Sequence, residues 1–335
     1  MAVTAKELAA KLGLSESAVS LALNNKPGVS TATRKRVLEA AKEIGYDLSG
    51  RTRALKEKKG QLCFVIFKKS GAVVADTPFF ALLSDGVGLG AKQEGYDFVI
   101  RYLYEDENIE EQLNLLDHSG FSGIILLATE MDAATMSRFS RLHVPMVVLD
   151  AYFETLVHDY VIINNVQGAF LAASFLIAKR RSQPGYLRSA YSIPNFEERA
   201  DGFYKAIRAG GMSTAKSQVI RLAPSQEGAY ADMKAFLEDG HELADSFFAD
   251  NDHIAIGAMR ALLESGYRIP EDVAIIGFDD IPFCSFSNPP LSTVQVPAQY
   301  MGETAVKRLV QMIDSRDKLP VKIEINTHLK KRRST

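Results

Sequence analysis

The chain contains 335 residues, of which 47% are hydrophobic and 24% are charged. This length exceeds one ordinary domain, and the composition is typical of a globular protein rather than a disordered or fibrous one. No apolar run approaches the ~20 residues that cross a bilayer, and no signal-peptide pattern is found at the N-terminus. The sequence therefore predicts a cytoplasmic protein with no membrane partner.

Charge is distributed unevenly along the chain. Of the 39 basic and 41 acidic residues, 12 basic and 6 acidic ones lie in residues 1–60, so this segment carries a net charge of +6 and the remainder −8. A basic segment on an acidic body favours contact with the phosphate backbone of a nucleic acid.

Residues 12–24 have the pattern of a tight turn that leads into a short helix. Gly13 can adopt the positive φ that such a turn requires, and Ser15 can cap the helix through its hydroxyl. An earlier helix opens at residues 4–7 with the capping-box pattern Thr-Ala-Lys-Glu. Two short helices joined by a glycine turn are typical of a helix-turn-helix, whose second helix enters the major groove of DNA. Helical spacing buries Ala18, Val19, Ala22 and Leu23 and turns outward Glu16, Ser17, Ser20, Leu21 and Asn24.

A third helix is predicted over residues 31–44, with Ser30 as its N-cap and Gly45 at its end. Its apolar positions are expected to cover the first two helices, and they are Val37, Leu38, Ala41 and Ile44. Three helices within the first fifty residues predict a complete small DNA-binding domain.

From residue 61 onward, short apolar runs alternate with amphipathic stretches. Strands are predicted at 62–67, 98–104, 123–128, 145–150, 185–190, 218–222, 246–249 and 273–278. Helices are predicted at 80–94, 110–119, 166–179, 197–209, 225–238, 252–265 and 299–315. This alternation specifies open parallel sheets with helices on both faces, and its length predicts two lobes. Ligands are expected in the cleft between the lobes, at the carboxyl ends of the strands.

Several motifs in the first 55 residues occur together in one known family of DNA-binding proteins. They are Val3-Thr4-Ala5-Lys6-Glu7-Leu8-Ala9, Gly13-Leu14-Ser15, Val19-Ser20, Leu23-Asn24, Val29-Ser30, Thr33-Arg34 and Ile44-Gly45-Tyr46. Without a gap from about residue 3 to residue 55, the chain resembles the head of the lac repressor and galactose repressor family of bacterial transcription factors.

This resemblance implies two sets of DNA contacts. Glu16, Ser17 and Leu21 would read base edges, although Glu16 also stands near phosphates, where it would only exclude wrong sequences. The phosphates would be held by Thr4, Ser15, Ser20, Asn24, Ser30 and Thr33.

Residues 48–60 correspond, by the same resemblance, to the hinge helix of the family. Arg53 is then expected near the DNA backbone, and Leu55 is expected to wedge into the minor groove. A helix this short is marginal alone, and Gly50 weakens it by a further ~1 kcal/mol. We therefore expect it to order only when two copies pair over DNA. A plain flexible linker is the alternative.

The resemblance extends over the body, most strongly at residues 249–258, 266–273 and 276–280, and it implies a type I periplasmic-binding-protein fold. The predicted architecture is an all-α helix-turn-helix head at 1–47, a hinge at 48–60 and a two-lobed α/β core for effector binding and dimerisation at 61–335. The N-lobe is expected to contain about 61–162 and 294–320. The C-lobe is expected to contain about 163–293 and 321–330, with 321–329 as its last strand.

Polar residues at the ends of the predicted strands suggest how the cleft would hold a ligand. Asp279 and Asp280 follow an apolar strand, so at least one of them should face the cleft. The resemblance implies that Asp279 accepts hydrogen bonds from the ligand and that Arg199 donates to it, unless the two only pair across the cleft. The remaining wall is predicted to contain Phe79, Phe80, Asp150, Asn195 and Asn251. Phe79 and Phe80 would alternatively fill the core.

Motifs for catalysis or for cofactor binding are not evident in the sequence. It shows no Ser/His/Asp arrangement, metal-ligand spacing or P-loop. The glycines at 86, 88 and 90 do not fit the dinucleotide-binding spacing and fall in a predicted helix, so they predict close helix packing. Cys63 and Cys284 predict buried thiols. The sequence thus predicts no cofactor, no metal and no enzymatic activity.

The leading interpretation is a sequence-specific transcriptional regulator, expected to be a repressor, whose operator affinity is controlled by a small-molecule effector. A homodimer on near-palindromic double-stranded operator DNA is expected, because two half-sites supply the affinity that one lacks. The expected effector is a sugar or a sugar derivative. The alternative is a solute-binding or sensor protein of the same fold without operator specificity.

Overall fold

The computed structural model describes residues 5–23, 28–43, 59–74, 78–315 and 319–335. These residues fall into two compact units, one before Gly60 and one from Gly60 onward. None of the helices in the described part combines the length and the apolar character that crossing a membrane requires.

The first unit is a bundle of three helices, α1 (Ala5–Leu12), α2 (Glu16–Leu23) and α3 (Thr31–Glu43). Gly13 adopts the predicted positive φ, 64°, in the turn between α1 and α2. The prediction that Leu38 covers the other helices was wrong, because Leu38 is 38% exposed and Ala40 is buried instead. Ala40 follows Val37 by three residues and so shares its helix face, whereas Leu38 is turned away. The core consists of Leu8, Ala9, Val19, Ala22, Leu23, Val37, Ala40 and Ala41.

The second unit contains two six-stranded sheets, each built mainly from parallel strands. The first sheet is fully parallel and contains β1 (Gln61–Lys68), β2 (Asp97–Tyr104), β3 (Gly123–Leu127), β4 (Met146–Leu149), β5 (Asp159–Ile163) and β11 (Lys322–Ile325), in the order β11-β5-β4-β3-β1-β2. Helices α4 (Pro78–Glu94), α5 (Ile109–Asp117), α6 (Ala133–Phe139) and α11 (Ala298–Asp314) belong to this lobe.

The second sheet contains β6 (Gly185–Ser189), β7 (Val219–Leu222), β8 (Ser246–Ala249), β9 (Ala274–Asp279), β10 (Ser292–Gln295) and β12 (His328–Lys330), in the order β12-β10-β9-β8-β6-β7. Only the edge strand β12 is antiparallel to its neighbour. Helices α7 (Asn165–Arg180), α8 (Pro194–Ala209), α9 (Gln226–Glu238) and α10 (Asp252–Glu264) belong to this lobe.

Within the described residues of the second unit, the chain passes between the lobes three times, from β5 to α7, from β10 to α11 and from β11 to β12. The prediction of one last strand at 321–329 in the C-lobe was wrong, because β11 joins the first sheet and β12 the second. The Asp159 carboxylate explains this difference. It accepts hydrogen bonds from the Val321 backbone N–H (3.0 Å) and the Arg308 Nε–H (2.6 Å), which hold the start of β11 beside β5.

Close approach between α4 and α11 depends on small residues. A Cβ atom on Gly86 would lie 2.1 Å from the Gln299 backbone oxygen, and one on Gly302 would lie 2.5 Å from the Leu83 oxygen. The prediction that the glycines at 86–90 serve helix packing is therefore confirmed for Gly86.

Candidate effector cavity and DNA-contacting surface

A cavity of 220 Å³ lies between the two lobes, near the carboxyl ends of the strands. The structure brings all seven predicted effector residues to its wall, namely Phe79, Phe80, Asp150, Asn195, Arg199, Asn251 and Asp279. Phe79 and Phe80 come from the first residues of α4, and Asn195 and Arg199 from the first turns of α8. Open α/β folds commonly place their ligand sites at this edge of the sheet.

Arg199 is held by contacts within its own lobe. Its guanidinium donates from Nε to Asn165 Oδ1 at 2.9 Å, from Nη1 to the Asp250 backbone oxygen at 2.5 Å and from Nη2 to Asp279 Oδ1 at 3.3 Å. The guanidinium carbon also lies 3.8 Å from the centre of the Phe278 ring. Arg199 and Asp279 do pair, as the alternative expected, but the pair lies within one lobe and not across the cleft, since both residues belong to the second sheet and its helices. These contacts use three of the five N–H groups and fix the plane of the fork.

Asp150 sits at the end of β4 in a left-handed backbone conformation, with φ of 64°. One carboxylate oxygen accepts from the Thr129 hydroxyl at 2.7 Å, and the Asp150 backbone oxygen accepts from Asn195 Nδ2 at 2.9 Å. The second contact joins the two lobes. Burial raises the pKa of Asp150 to about 6, although the Thr129 hydroxyl and the Arg199 charge act in the opposite direction.

The electrostatic character of the cavity is acidic. Asp150, Glu227 and Asp279 line it, against one arginine. Burial, together with the neighbouring charges of Asp252 and Asp150, raises the pKa of Asp279, while Arg199 opposes the rise. Burial lowers the pKa of the lining residue His253 below its ordinary value. The wall therefore favours neutral or hydrogen-bond-donating ligands over anions.

Asn251 has a structural task as well as a place in the wall. Its Oδ1 accepts from the Ile254 backbone N–H at 2.8 Å and caps α10. Phe79 and Phe80 likewise have two roles, since they both fill the core and line the cavity. Their rings meet edge to face with centroids 5.0 Å apart, pack on the core and line the cavity.

Asp280 does not line the cavity, although the preceding residue, Asp279, does. Its carboxylate instead pairs with Arg332 at 2.6 Å and with Lys330 at 3.0 Å, near the last strand. Sequence reasoning did not identify other residues of the wall, which are Ala72, Val73, Thr129, Ile193, Phe196, Pro224, Ser225, Gln226, Glu227, His253 and Ile281. Thr129 had a usable signal, because it lies directly after the strand predicted at 123–128.

The head presents the predicted DNA-contacting residues on one element and its flanks. Ser15, Glu16, Ser17 and Ser20 are exposed along α2, whereas Leu21 is half-buried. The Ser15 hydroxyl accepts from the Ala18 backbone N–H at 3.1 Å, as expected for an N-cap.

Ser30 caps α3 in the same way. Its hydroxyl accepts from the Thr33 backbone N–H at 3.1 Å and meets the Thr33 hydroxyl at 2.8 Å. Four of the predicted DNA-contacting residues lie outside the described residues, namely Thr4, Asn24, Arg53 and Leu55. The same is true of residues 48–58 of the predicted hinge.

Comparison with known proteins decides the family. Residues 4–48 match the family of bacterial regulatory proteins named after lacI, and residues 173–335 match the periplasmic binding protein-like domain. The chain belongs to the LacI family. This LacI-family chain is 28% identical to the transcriptional regulator CelR of Thermobifida fusca, over 99% of this chain and 98% of that protein. It is also 28% identical to the transcriptional repressor PurR of Actinobacillus pleuropneumoniae, over 99% and 98% of the two chains.

A solved structure extends the likeness to three dimensions. The LacI-family chain superimposes on the transcriptional regulator CelR in its cellobiose complex with a TM-score of 0.75, at 26% identity, over 99% of this chain and 100% of that one. The helix-turn-helix head and the two-lobed α/β core predicted from the sequence are thereby confirmed. The relatives are transcriptional regulators, so the chain is a regulator and not an enzyme.

Proposed function

We propose that this chain is a transcriptional repressor that binds operator DNA as a homodimer in the cytoplasm. Its affinity for the operator falls or rises when a neutral sugar occupies the cavity. One observation carries the proposal: a helix-turn-helix head and a polar cavity between two lobes occur in the same chain. The alternative, a solute-binding protein without operator specificity, would not require a DNA-binding head. Residues 4–48, in contrast, match a family of DNA-binding regulators.

The wall of the cavity favours a neutral sugar as effector. The carboxyl oxygens of Asp150 and Asp279 can accept hydrogen bonds from sugar hydroxyls in either protonation state, and the Arg199 fork can donate to a ring or hydroxyl oxygen. The rings of Phe79 and Phe80 can pack against the apolar face of a sugar. Relatives with bound sugars support this class, since CelR was solved with cellobiose and a regulator from Enterococcus faecium, 25% identical, with ribose.

A thermal-shift screen tests the effector class directly. Glucose, ribose and cellobiose would be compared with glucose 6-phosphate and with guanine, because a ligand that binds only the folded chain raises its melting temperature. We expect a neutral sugar to raise the melting temperature and the phosphorylated sugar to leave it unchanged. A larger shift with the phosphate ester would show that the acidic wall does not set the class.

Base reading is assigned to Glu16, Ser17 and Leu21, and phosphate contact to the predicted phosphate-holding residues. Glu16 is exposed at the start of α2, where a carboxylate can accept from a cytosine amino group. A randomised-site selection should therefore yield a different preferred operator for Glu16→Ala. The matched control is Glu39→Ala, an exposed glutamate on α3 that pairs with Lys35. An unchanged preference for Glu16→Ala would remove direct readout by Glu16.

A further inference from the structure

The loop between β1 and α4 has an unusual acceptor for its backbone. Residues 69–74 form neither helix nor strand, yet each of their six backbone N–H groups has a partner. Such groups must be satisfied when they are withdrawn from water, and here five of the six are satisfied by one side chain. That side chain is Glu130, which follows β3 and comes from a distant part of the sequence.

The geometry uses both oxygens of the Glu130 carboxylate. Oε2 accepts from the backbone N–H groups of Lys69, Ser70 and Gly71 at 2.9, 3.0 and 3.0 Å. Oε1 accepts from those of Val73 and Val74 at 2.7 and 2.8 Å. The remaining N–H, on Ala72, donates to the Ser70 hydroxyl at 3.1 Å.

This arrangement depends on the ionised side chain. Glu130 is only 3% exposed, and a carboxylate is the one side-chain group that accepts at both of its oxygens without donating. Gly71, with φ of 68°, provides the left-handed residue that lets successive N–H groups converge on one anion. Burial alone would raise the pKa of Glu130, but the N–H groups of Val74, Val73, Ser70 and Gly71 outweigh burial and lower it.

The loop that Glu130 organises is part of the cavity. Ala72 and Val73 line the cavity wall, and the same chain segment leads towards Phe79 and Phe80. Glu130 itself does not line the cavity. Any effect of Glu130 on this wall is therefore indirect.

We infer that Glu130 is a positioning residue that fixes the 69–74 loop as one wall of the effector cavity and thereby sets the affinity for effector. The inference rests on the proposed function, since it takes this cavity as the effector site. Glu130→Gln is the informative variant, because it keeps the shape and turns an NH₂ group towards N–H donors. Glu130→Asp keeps the charge but is one methylene shorter.

Two measurements test this role. Hydrogen exchange followed by mass spectrometry reports the protection of residues 69–74 without any ligand. Isothermal titration with glucose, ribose and cellobiose reports affinity, using whichever of the three binds the unmodified chain most tightly. The matched control is Glu105→Gln, because Glu105 pairs with Lys69 of the same loop but accepts none of the loop N–H groups.

We expect Glu130→Gln to speed exchange of residues 69–74 at least tenfold and to weaken sugar binding at least tenfold. Glu130→Asp should fall between that variant and the unmodified chain, and it also serves if Glu130→Gln does not fold. Glu105→Gln should change neither quantity. Unchanged exchange in Glu130→Gln, or faster exchange with unchanged affinity, would overturn the inference. If none of the three sugars binds the unmodified chain, the sugar assignment fails, and the exchange result alone decides whether Glu130 organises the loop.

Discussion

At the scale of single residues, the cavity separates groups that hold structure from groups that can meet a ligand. Arg199 is 5% exposed, and its guanidinium is hydrogen-bonded to three oxygens. The orientation of the guanidinium is therefore fixed before a ligand binds. Preorganised donors lose little entropy on binding. A small displacement of this guanidinium should therefore affect effector binding more than folding.

Arg199→Lys tests that reading. A lysine keeps the positive charge beside Asp279 but cannot reach Asn165 and the Asp250 oxygen together. We expect sugar affinity to fall at least tenfold, by calorimetry, while operator affinity without sugar stays within about twofold. Arg260→Lys is the control, because Arg260 is an exposed arginine paired with Glu264. Sugar affinity preserved in Arg199→Lys would contradict a role for the fork.

Asp150 gives the chain a pH dependence of known sign. Its pKa is raised to about 6 in the folded chain, above the ordinary aspartate value of 3.8, so the folded chain binds the extra proton between about pH 4 and 6. Folding is thus favoured less as the pH rises through this window. In Asp150→Asn this loss is absent, so the free energy of unfolding, relative to the unmodified chain, should rise on the order of 2 kcal/mol from pH 4.5 to 7.5.

Urea unfolding at each pH measures this difference. Asn tolerates the positive φ of position 150 and can still accept from Thr129, so the variant should fold. Asp106→Asn, an exposed substitution of the same type, controls for the change in net charge. Parallel pH profiles for Asp150→Asn and the unmodified chain would contradict the raised pKa.

A residue of the site could be predicted from the sequence when its position relative to a strand, or the family resemblance, indicates its role. Asp150, Asn251 and Asp279 follow strands, so the rule for parallel sheets and the family resemblance place them together. Glu130 could not be found this way. Its partners are backbone N–H groups some sixty positions earlier, and backbone groups leave no signature in the sequence.

At the scale of elements, the contact between α4 and α11 is set by glycine. Gly86→Ala would place a methyl group against the Gln299 backbone oxygen, which cannot move aside as a flexible side chain would. We expect a loss of more than about 2 kcal/mol in the free energy of unfolding. Gly88→Ala on the same helix meets only the Phe98 ring at 3.5 Å, so helix propensity should make it neutral or stabilising by up to about 1 kcal/mol.

Chemical denaturation of both variants provides the comparison. Equal stability of Gly86→Ala and Gly88→Ala would show that the helices can separate without cost.

Most elements of the core were predictable from the alternation of apolar runs, but some were missed. The strand at Ser246–Ala249 was predicted to the residue, because four apolar or small residues precede a polar strand end. Helix α6, with seven residues, and β5 were not predicted at all. The split between β11 and β12 depends on Asp159, whose pairing with the Val321 N–H is a tertiary contact that no local pattern contains.

At the scale of the whole molecule, exposed apolar side chains suggest how two copies meet. On the second lobe, Phe283 and Phe286 are 60% and 84% exposed beside a surface groove of 460 Å³. On the first lobe, Ile100, Tyr102 and Leu82 are also exposed. Patches of this kind mark protein–protein contacts. Twofold pairing would present two heads to two half-sites.

Phe286→Asp should therefore weaken the homodimer. We expect its sedimentation velocity to shift towards the monomer at concentrations where the unmodified chain is dimeric, with a matching loss of operator affinity. Leu115→Asp, which places the same charge at a residue 69% exposed on α5, is the control. A dimer that survives Phe286→Asp would place the interface elsewhere.

The coupling between cavity and DNA requires a sugar to favour one arrangement of the lobes, because a ligand that binds both arrangements equally shifts nothing. The contact from Asn195 to the Asp150 backbone crosses the cleft inside the cavity wall. A sugar bound there would touch both lobes at once.

The most direct test is a fluorescence-anisotropy titration of the unmodified chain with a duplex chosen by randomised-site selection and with a scrambled duplex, each with and without the best-binding sugar. We predict at least about a thousandfold preference for the selected duplex at physiological salt and a change of tenfold or more in that affinity when the sugar is added. Equal affinity for both duplexes, unaffected by sugar, would contradict the account.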